Sequence, residues 1–159
     1  MGDRNRFHLF ADLIAQEFPD RAISIADVAS GNGKLQAALR MRGYNEITSW
    51  DRQRRNAKGR RGYRFGLFDY RNASRAYDLV IGMHPDEATD QIILYAGKHG
   101  KPFVVCPCCI KPSVSHFEDI GFAGWLRHLR KLGEQDGLTV TDTALPMYGR
   151  ANVLIGRPS

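Results

Sequence analysis

The sequence predicts an α/β fold: a doubly wound, mostly parallel sheet of seven strands, with helices on both faces and a C-terminal antiparallel hairpin. Three observations carry that expectation. Short apolar strands alternate with helices over most of the chain. The first strand, in ISIADVASGNGKL (23–35), runs straight into a helix around two closely spaced glycines. The chain then closes on two strand-like runs, 138–145 and 151–156, joined by PMYGR with no room for a helix.

The elements follow in order. Phe7, Phe10, Ala11, Ile14 and Phe18 recur at helical spacing, so residues 4–18 read as an amphipathic helix that stops at Pro19 and covers one face of the sheet. Ile23, Ile25 and Val28 suit a buried first strand, and 34–42 continue as a helix ended by Gly43. A second strand spans 46–50 and finishes at Asp51; a third spans 63–68 and ends at Asp69. The fourth, YDLVIG (77–82), runs into Met83, His84, Pro85 and Asp86. A helix over 87–98 precedes the fifth strand, 102–106, which ends in PCC. Residues 116–133 form a last helix with Phe117, Ile120, Trp125, Leu126 and Leu129 on its apolar side, Gly121 and Gly124 being candidate breaks.

At 159 residues the chain reads as a single domain, 1–159, with residues 1–20 as an N-terminal helix packed on the sheet. It is too short to hold a separate folded substrate domain, so recognition falls to loops, termini or a protein partner. No run reaches the ~18 apolar residues of a membrane helix, and residues 1–20 lack a secretory pattern. Three cysteines crowded into 106–109 are not a disulfide framework. A soluble, cytoplasmic protein with reduced thiols is expected. The net charge of +6 is unevenly placed, because Arg52, Arg54, Arg55, Lys58, Arg60, Arg61 and Arg64 fall within thirteen residues. Such a block favours polyanions.

The glycine turn is a candidate nucleotide site, since Gly31 and Gly33 permit left-handed backbone and close approach of a ligand. A phosphate-binding P-loop fails at two positions: Val28 stands where its first glycine belongs, and Leu35 follows Lys34. A dinucleotide fingerprint fails at one, where Gln36 replaces its third glycine. The pattern acid-x-Gly-x-Gly-x-Gly fits Asp27, Ala29, Gly31 and Gly33 with one conservative change, alanine for the first glycine. This resembles motif I of the class I S-adenosylmethionine-dependent methyltransferases. The resemblance implies the Rossmann-like methyltransferase fold and S-adenosyl-L-methionine as cofactor. It places Asp27, Ala29, Ser30, Gly31 and Gly33 at the cofactor, with Asp27 acting through the turn and the methionyl ammonium.

Ligands of open α/β sheets bind beyond the carboxyl ends of the strands, where Asp27, Asp51 and Asp69 stand. Asp51, 24 residues after Asp27, suits the ribose hydroxyls, with Arg52 beside it. Asp69 matches the position where these enzymes bind the adenine amino group, with Tyr70 adjacent and Leu67 or Phe68 able to flank the ring; capping a helix is its other role. A second resemblance covers 78–109. The strand, His84, Thr89-Asp90, helix and strand-Pro107-Cys108-Cys109 arrangement is similar to a methyltransferase subgroup that includes a eukaryotic tRNA 2′-O-methyltransferase. Pro85 and Asp86 depart from its small or Cys-Gly residues after the histidine.

These strand ends make His84, Asp86 and Cys109 the catalytic candidates, His84 also being a cofactor contact. Methyl transfer to a hydroxyl or amine needs in-line positioning and removal of a proton, which a histidine titrating near neutrality can accept. Cys109 occupies one location for the nucleophile of pyrimidine C5 methyltransferases, but the partner Pro-Cys element at the fourth strand is missing. No metal site is expected, because alternating or adjacent strand cysteines point to opposite faces. The chain thus reads as a methyltransferase acting on RNA, tRNA first. A small-molecule methyltransferase and a noncatalytic adenosyl- or partner-binding module are the alternatives.

Overall fold

The computed structural model describes residues 3–53, 59–73, 75–118 and 121–159. Of the expected features, Arg54, Arg55 and Lys58 of the basic block and Ile120 of the last helix lie outside the described residues. The order is α1 (Arg6–Glu17), β1 (Ile25–Val28), α2 (Lys34–Met41), β2 (Ile47–Asp51), β3 (Tyr63–Phe65), β4 (Leu79–Met83), a 3-10 turn (Asp86–Ala88), α3 (Thr89–His99), β5 (Phe103–Cys106), α4 (Gly121–Gln135), β6 (Leu138–Ala144) and β7 (Asn152–Pro158).

One seven-stranded sheet runs β3-β2-β1-β4-β5-β7-β6. The first five strands are parallel, and β7 inserts antiparallel between β5 and β6. Winding reverses between β1 and β4, which opens a crevice beyond their carboxyl ends. Strand alternation divides the core. Ile25, Leu79, Ile81 and Val104 pack with Phe10 and Ile14 of α1 and Leu35 and Leu39 of α2. Ala26, Val80, Phe103 and Val105 pack on the other face with Ile92 and Ile93 of α3 and Trp125 and Leu129 of α4. Period-two alternation in doubly buried strands produces both faces at once.

Boundaries moved at three places for local reasons. β3 ends at Phe65 rather than 68, because Gly66 (φ +150°) bends the chain and its amide donates to the Asp51 carbonyl at 2.9 Å. Phe68 then turns inward to 4% exposure. The 87–98 helix is preceded by the 3-10 turn, and the Thr89 hydroxyl donates to the Asp86 carbonyl at 2.8 Å. The last helix starts at Gly121 rather than 116 and runs to Gln135. Residues 116–118 are nonhelical, Phe117 instead lying 5.0 Å from the Trp125 ring. Gly124, a candidate break, lies inside the helix, and Gly133 lies where a Cβ would come within 2.8 Å of Val140, so that small residue lets α4 sit close on the sheet. Among the described residues no helix is long and apolar enough to cross a membrane.

Candidate functional site

A cavity of ≈ 780 Å³ opens beyond the carboxyl ends of β1, β2 and β4. Its wall begins at the β1–α2 turn. Ala29, Gly31 and Gly33 all take left-handed backbone, at φ 58°, 56° and 87°. A Cβ on Gly31 would meet nothing within 4 Å, whereas one on Gly33 would run into the Tyr63 side chain. Gly31 therefore faces open space and Gly33 faces β3. Both amides, expected near a cofactor, are bonded within the protein. Gly31 N–H donates to Asp51 Oδ2 at 2.8 Å, and Gly33 N–H to the Ser30 carbonyl at 3.2 Å. These bonds tie the turn to the end of β2. Gly33 does not reach the cavity wall, while Ala29, Ser30 and Gly31 do.

Asp51 is 8% exposed, and its Oδ1 accepts the Gln53 amide at 2.7 Å. Two main-chain donors thus fix the carboxylate at the cavity wall. Asp27 is more deeply held, at 1% exposure. Its Oδ2 accepts the Ser49 hydroxyl at 2.8 Å, and Ser49 Oγ accepts Gln36 Nε2 at 2.7 Å. Burial pushes the Asp27 carboxyl up to about 7; the Ser49 bond pulls the other way, and nearby Asp51 adds to the rise. A neutral or half-ionised acid at the base of a cavity is poised to gain a cationic partner. Ser30 Oγ, also at the wall, is buried and has no hydrogen-bond partner among the described residues. Trp50, Leu67 and Phe68 supply the apolar side.

The end of β4 forms the opposite wall. His84 and Asp86 both adopt φ 52°, so all three non-glycine residues with left-handed backbone among the described residues, Ala29 included, line this one cavity. Such strain gathers where a site must aim its side chains. His84 N–H donates to the Cys106 carbonyl at 2.9 Å, and its Nε2 lies 3.0 Å from the Arg150 carbonyl. A carbonyl needs a donor, so Nε2 carries the proton and Nδ1 is the basic nitrogen.

Asp86 Oδ1 accepts Cys108 Sγ at 3.2 Å, Cys109 Sγ at 3.4 Å and Lys111 Nζ at 3.5 Å. Burial pushes this carboxyl up, but the two thiols and the Lys111 charge outweigh it and hold the acid below its ordinary range. The thiols move the other way. Burial is the largest cause, with Asp86 contributing; Cys108 is pushed up to about 12 and Cys109 is raised as well. Cys109 is therefore held as a thiol, which weighs against the nucleophile considered for it. The two thiols, expected on opposite faces of a strand, lie side by side. β5 ends at Cys106, so Cys108 and Cys109 lie past the strand, outside its alternation, and their sulfurs approach to 3.4 Å.

Asp69 and Tyr70 lie away from the cavity wall. The Asp69 carboxylate accepts the Arg71 amide and guanidinium at 2.9–3.0 Å, an Asx turn that holds the acid low through the Arg71 bonds. Tyr70 N–H donates to Gln91 Oε1. Arg52 does reach the wall, where it pairs with Glu87 at 2.6 Å. Arg60 stacks 3.9 Å from Tyr63 and Arg64 4.5 Å from Trp50.

The sequence reading missed several wall residues: Arg6 and Phe7 of α1, Gln91 of α3, and Pro112 and Ser113 of the loop after β5. That loop is pinned by Asp90, which is wholly buried and accepts Ser113 N, Ser113 Oγ, Val114 N, Ser115 N and Ser115 Oγ at 2.7–3.1 Å. An acid in a Thr-Asp pair at a helix start was the available signal, although it reads equally as a cap.

No protein-family model matches the sequence, and no curated protein matches it either. Solved structures do. A sugar N-methyltransferase from Streptoalloteichus superposes with a TM-score of 0.66 at 14% identity, covering 98% of this chain and 88% of that one. A protein from Pyrococcus horikoshii gives 0.66 at 15% identity over 98% and 91%. The magnesium protoporphyrin IX methyltransferase of Synechocystis, solved with S-adenosylmethionine bound, gives 0.64 at 15% identity over 98% and 81%. This is the class I methyltransferase fold. In open α/β sheets the crevice at such a reversal is where ligands bind, and the residues present fit an adenosylmethionine group. Ser30 Oγ is an unmatched polar atom, Asp27 suits an ammonium, and Asp51 suits a diol beside the apolar Trp50 and Phe68.

Proposed function

We propose that this chain is an S-adenosylmethionine-dependent methyltransferase whose acceptor is RNA, with tRNA as the first subtype to test. The observation that carries the catalytic reading is the single cavity walled on one side by Asp27, Ser30, Gly31 and Asp51 and on the other by His84 and Asp86. The bound cofactor supplies an electrophilic methyl group. Asp27 holds its ammonium, Asp51 its ribose hydroxyls, and Trp50 and Phe68 one side of its base. His84, donating through Nε2 to the Arg150 carbonyl, keeps Nδ1 for the proton that an acceptor hydroxyl or amine must lose. Asp86, kept ionised, orients that acceptor.

The RNA reading is supported by the surface beside the cavity. Arg52, Arg60, Arg61 and Arg64 are exposed, and Phe65 (60%) and Leu67 (69%) stand among them as apolar groups for bases. The tRNA subtype rests on the His84 to Cys109 resemblance. A small-molecule acceptor is the second reading, favoured by a cavity volume ordinary for small ligands and by the internal pairing of Arg52 with Glu87. Similar structures are named as sugar and magnesium protoporphyrin IX methyltransferases.

Titration with S-adenosylmethionine and, separately, NAD tests the cofactor; binding of neither refutes the catalytic reading. Transfer of labelled methyl from the cofactor to total tRNA tests the acceptor. RNA binding that weakens steeply with salt supports the RNA reading. Salt-independent turnover of small molecules alone supports the second.

A further inference from the structure

Beyond methyl transfer, and independent of it, one cluster has the composition and spacing of a cation site. We propose that Asp86, Cys108 and Cys109 bind a soft divalent cation of the zinc class, and that the cavity supplies the remaining ligand. The carboxylate oxygen and the two sulfurs all lie within 4.8 Å of one another. Their measured separations are 3.4 Å between the sulfurs, and 3.2 Å and 3.4 Å from each sulfur to Asp86 Oδ1. A tetrahedral zinc with bonds of about 2.3 Å to sulfur and about 2.1 Å to oxygen places its ligand atoms roughly 3.5–3.8 Å apart. The three donors thus need to spread by only a few tenths of an ångström.

Thiolate donors select zinc-class ions over magnesium or calcium, and three protein ligands with one position left open is the pattern of a reactive rather than a purely structural site. The backbone supports the arrangement from both sides. Left-handed His84 and Asp86 flank Pro85 and aim the carboxylate at the sulfurs. Asp90, through its five accepted bonds, anchors the segment that follows Cys109. Two thiolates and a carboxylate around a dication leave one net negative charge, and Lys111 Nζ, 3.5 Å from Asp86 Oδ1, stands beside it. Binding releases the two thiol protons to solvent. Because Asp86 belongs to both the cluster and the cavity wall, an ion held here sits at that wall with its open position available to a ligand in the cavity.

The test is titration of the reduced, chelator-treated chain with cobalt(II), a spectroscopic stand-in for zinc, followed by displacement with zinc. The expected result is one equivalent per chain with a near-ultraviolet thiolate-to-cobalt charge-transfer band. Cys108→Ser and Cys109→Ser should each abolish or strongly diminish the band and weaken affinity by about 100-fold or more, the upper end of what loss of even a supporting partner costs. Cys106→Ser, which alters the buried cysteine outside the cluster, should keep the band. Asp86→Asn should leave the sulfur band and weaken binding. Failure of the reduced wild type to develop the band overturns the proposal. A band that survives both single cysteine substitutions, or one that saturates at half an equivalent through two chains sharing an ion, does so as well. None of these readouts depends on cofactor binding or turnover, so the site and the methyltransferase reading can fail separately.

Discussion

Asp27 makes cofactor binding pH-dependent in a direction that few carboxylates give. Its carboxyl is raised from an ordinary 3.8 to about 7 because it is buried, with the Ser49 hydroxyl pulling the other way and Asp51 adding to the rise. A folded value above the unfolded one means that the native state holds the proton more tightly. This group's contribution to stability is therefore full below pH ~4 and declines as pH rises through 7. About three units at 1.36 kcal/mol each amounts to roughly 4 kcal/mol. A ligand ammonium reverses the preference by favouring the carboxylate, so binding at acid pH must expel a proton. With a carboxyl at about 7, the ionised fraction is about 1% at pH 5, 9% at pH 6 and 50% at pH 7. The apparent Kd should then tighten about fivefold from pH 6 to 7 and about fiftyfold from pH 5 to 7. The gain ends near pH 8, where the ligand's own ammonium starts to deprotonate.

Isothermal titration with S-adenosylmethionine in two buffers of different ionisation heat measures both the Kd and the proton released. Close to one proton should leave per binding event at pH 6. Asp27→Asn, whose amide resembles the protonated acid in shape, should fold, flatten the profile and release no proton. A wild-type Kd flat between pH 5.5 and 7, or a slope that persists in Asp27→Asn, refutes the reasoning. Asp86 and Asp90 are held low in the fold, so their stability contributions are lost as pH falls, opposite in sign to that of Asp27. Only the difference between wild type and Asp27→Asn isolates the effect.

Asp51→Ala should weaken cofactor binding at least tenfold, because a charge-assisted pair of bonds to the ribose is lost together with the anchor of the Gly31 amide; unchanged affinity in the same titration would remove the assignment. His84→Ala should leave cofactor affinity within about twofold while turnover falls by about 10²–10⁴. Asp90→Ala leaves five donors without their acceptor and should cost about 3–5 kcal/mol in urea unfolding, with Asp90→Asn recovering part of it. A loss under 1 kcal/mol for Asp90→Ala would mean that the 113–115 loop holds itself.

The sheet was legible because its signal is repeated. Each of β1, β4 and β5 is a short run buried on both faces and followed by a helix, and the terminal hairpin has no competing pattern. The motif around Asp27 and Gly31 was legible because left-handed backbone leaves a residue-level mark. What the sequence did not carry was the use of each polar group. Asp51 and Asp69 both end apolar runs, yet the bend at Gly66 moves Asp69 onto Arg71 while Asp51 stays at the cavity. The Gly31 amide meets Asp51 rather than solvent space, a tertiary contact across 20 residues. Strand alternation misled for Cys108 and Cys109 because the strand stops at Cys106, so local rules for strands no longer applied. Ser113 and Ser115 have no periodicity, and only the buried charge of Asp90 explains their place.

The two halves of the cavity are fastened mainly by different bonds, with Arg52 on Glu87 bridging them, and that division is what makes the site separable by mutation. The cofactor half is fastened across β1 and β2 by the Gly31–Asp51 bond and by the Gln36–Ser49–Asp27 chain. The acceptor half is fastened across β4, β5 and α3 by His84 on Arg150, Asp86 on the thiols and Asp90 on the 113–115 loop. Losses at Asp51 and His84 should add in free energy when combined, since the Gly31 and Gln53 amides on Asp51 and the Arg150 carbonyl on His84 belong to separate bonds. The double variant Asp51→Ala/His84→Ala provides the check. A deficit in kcat/KM equal to the product of the single deficits supports two independent walls around one ligand. A deficit no larger than that of His84→Ala alone would mean that the β1–β2 end serves only to place the histidine wall.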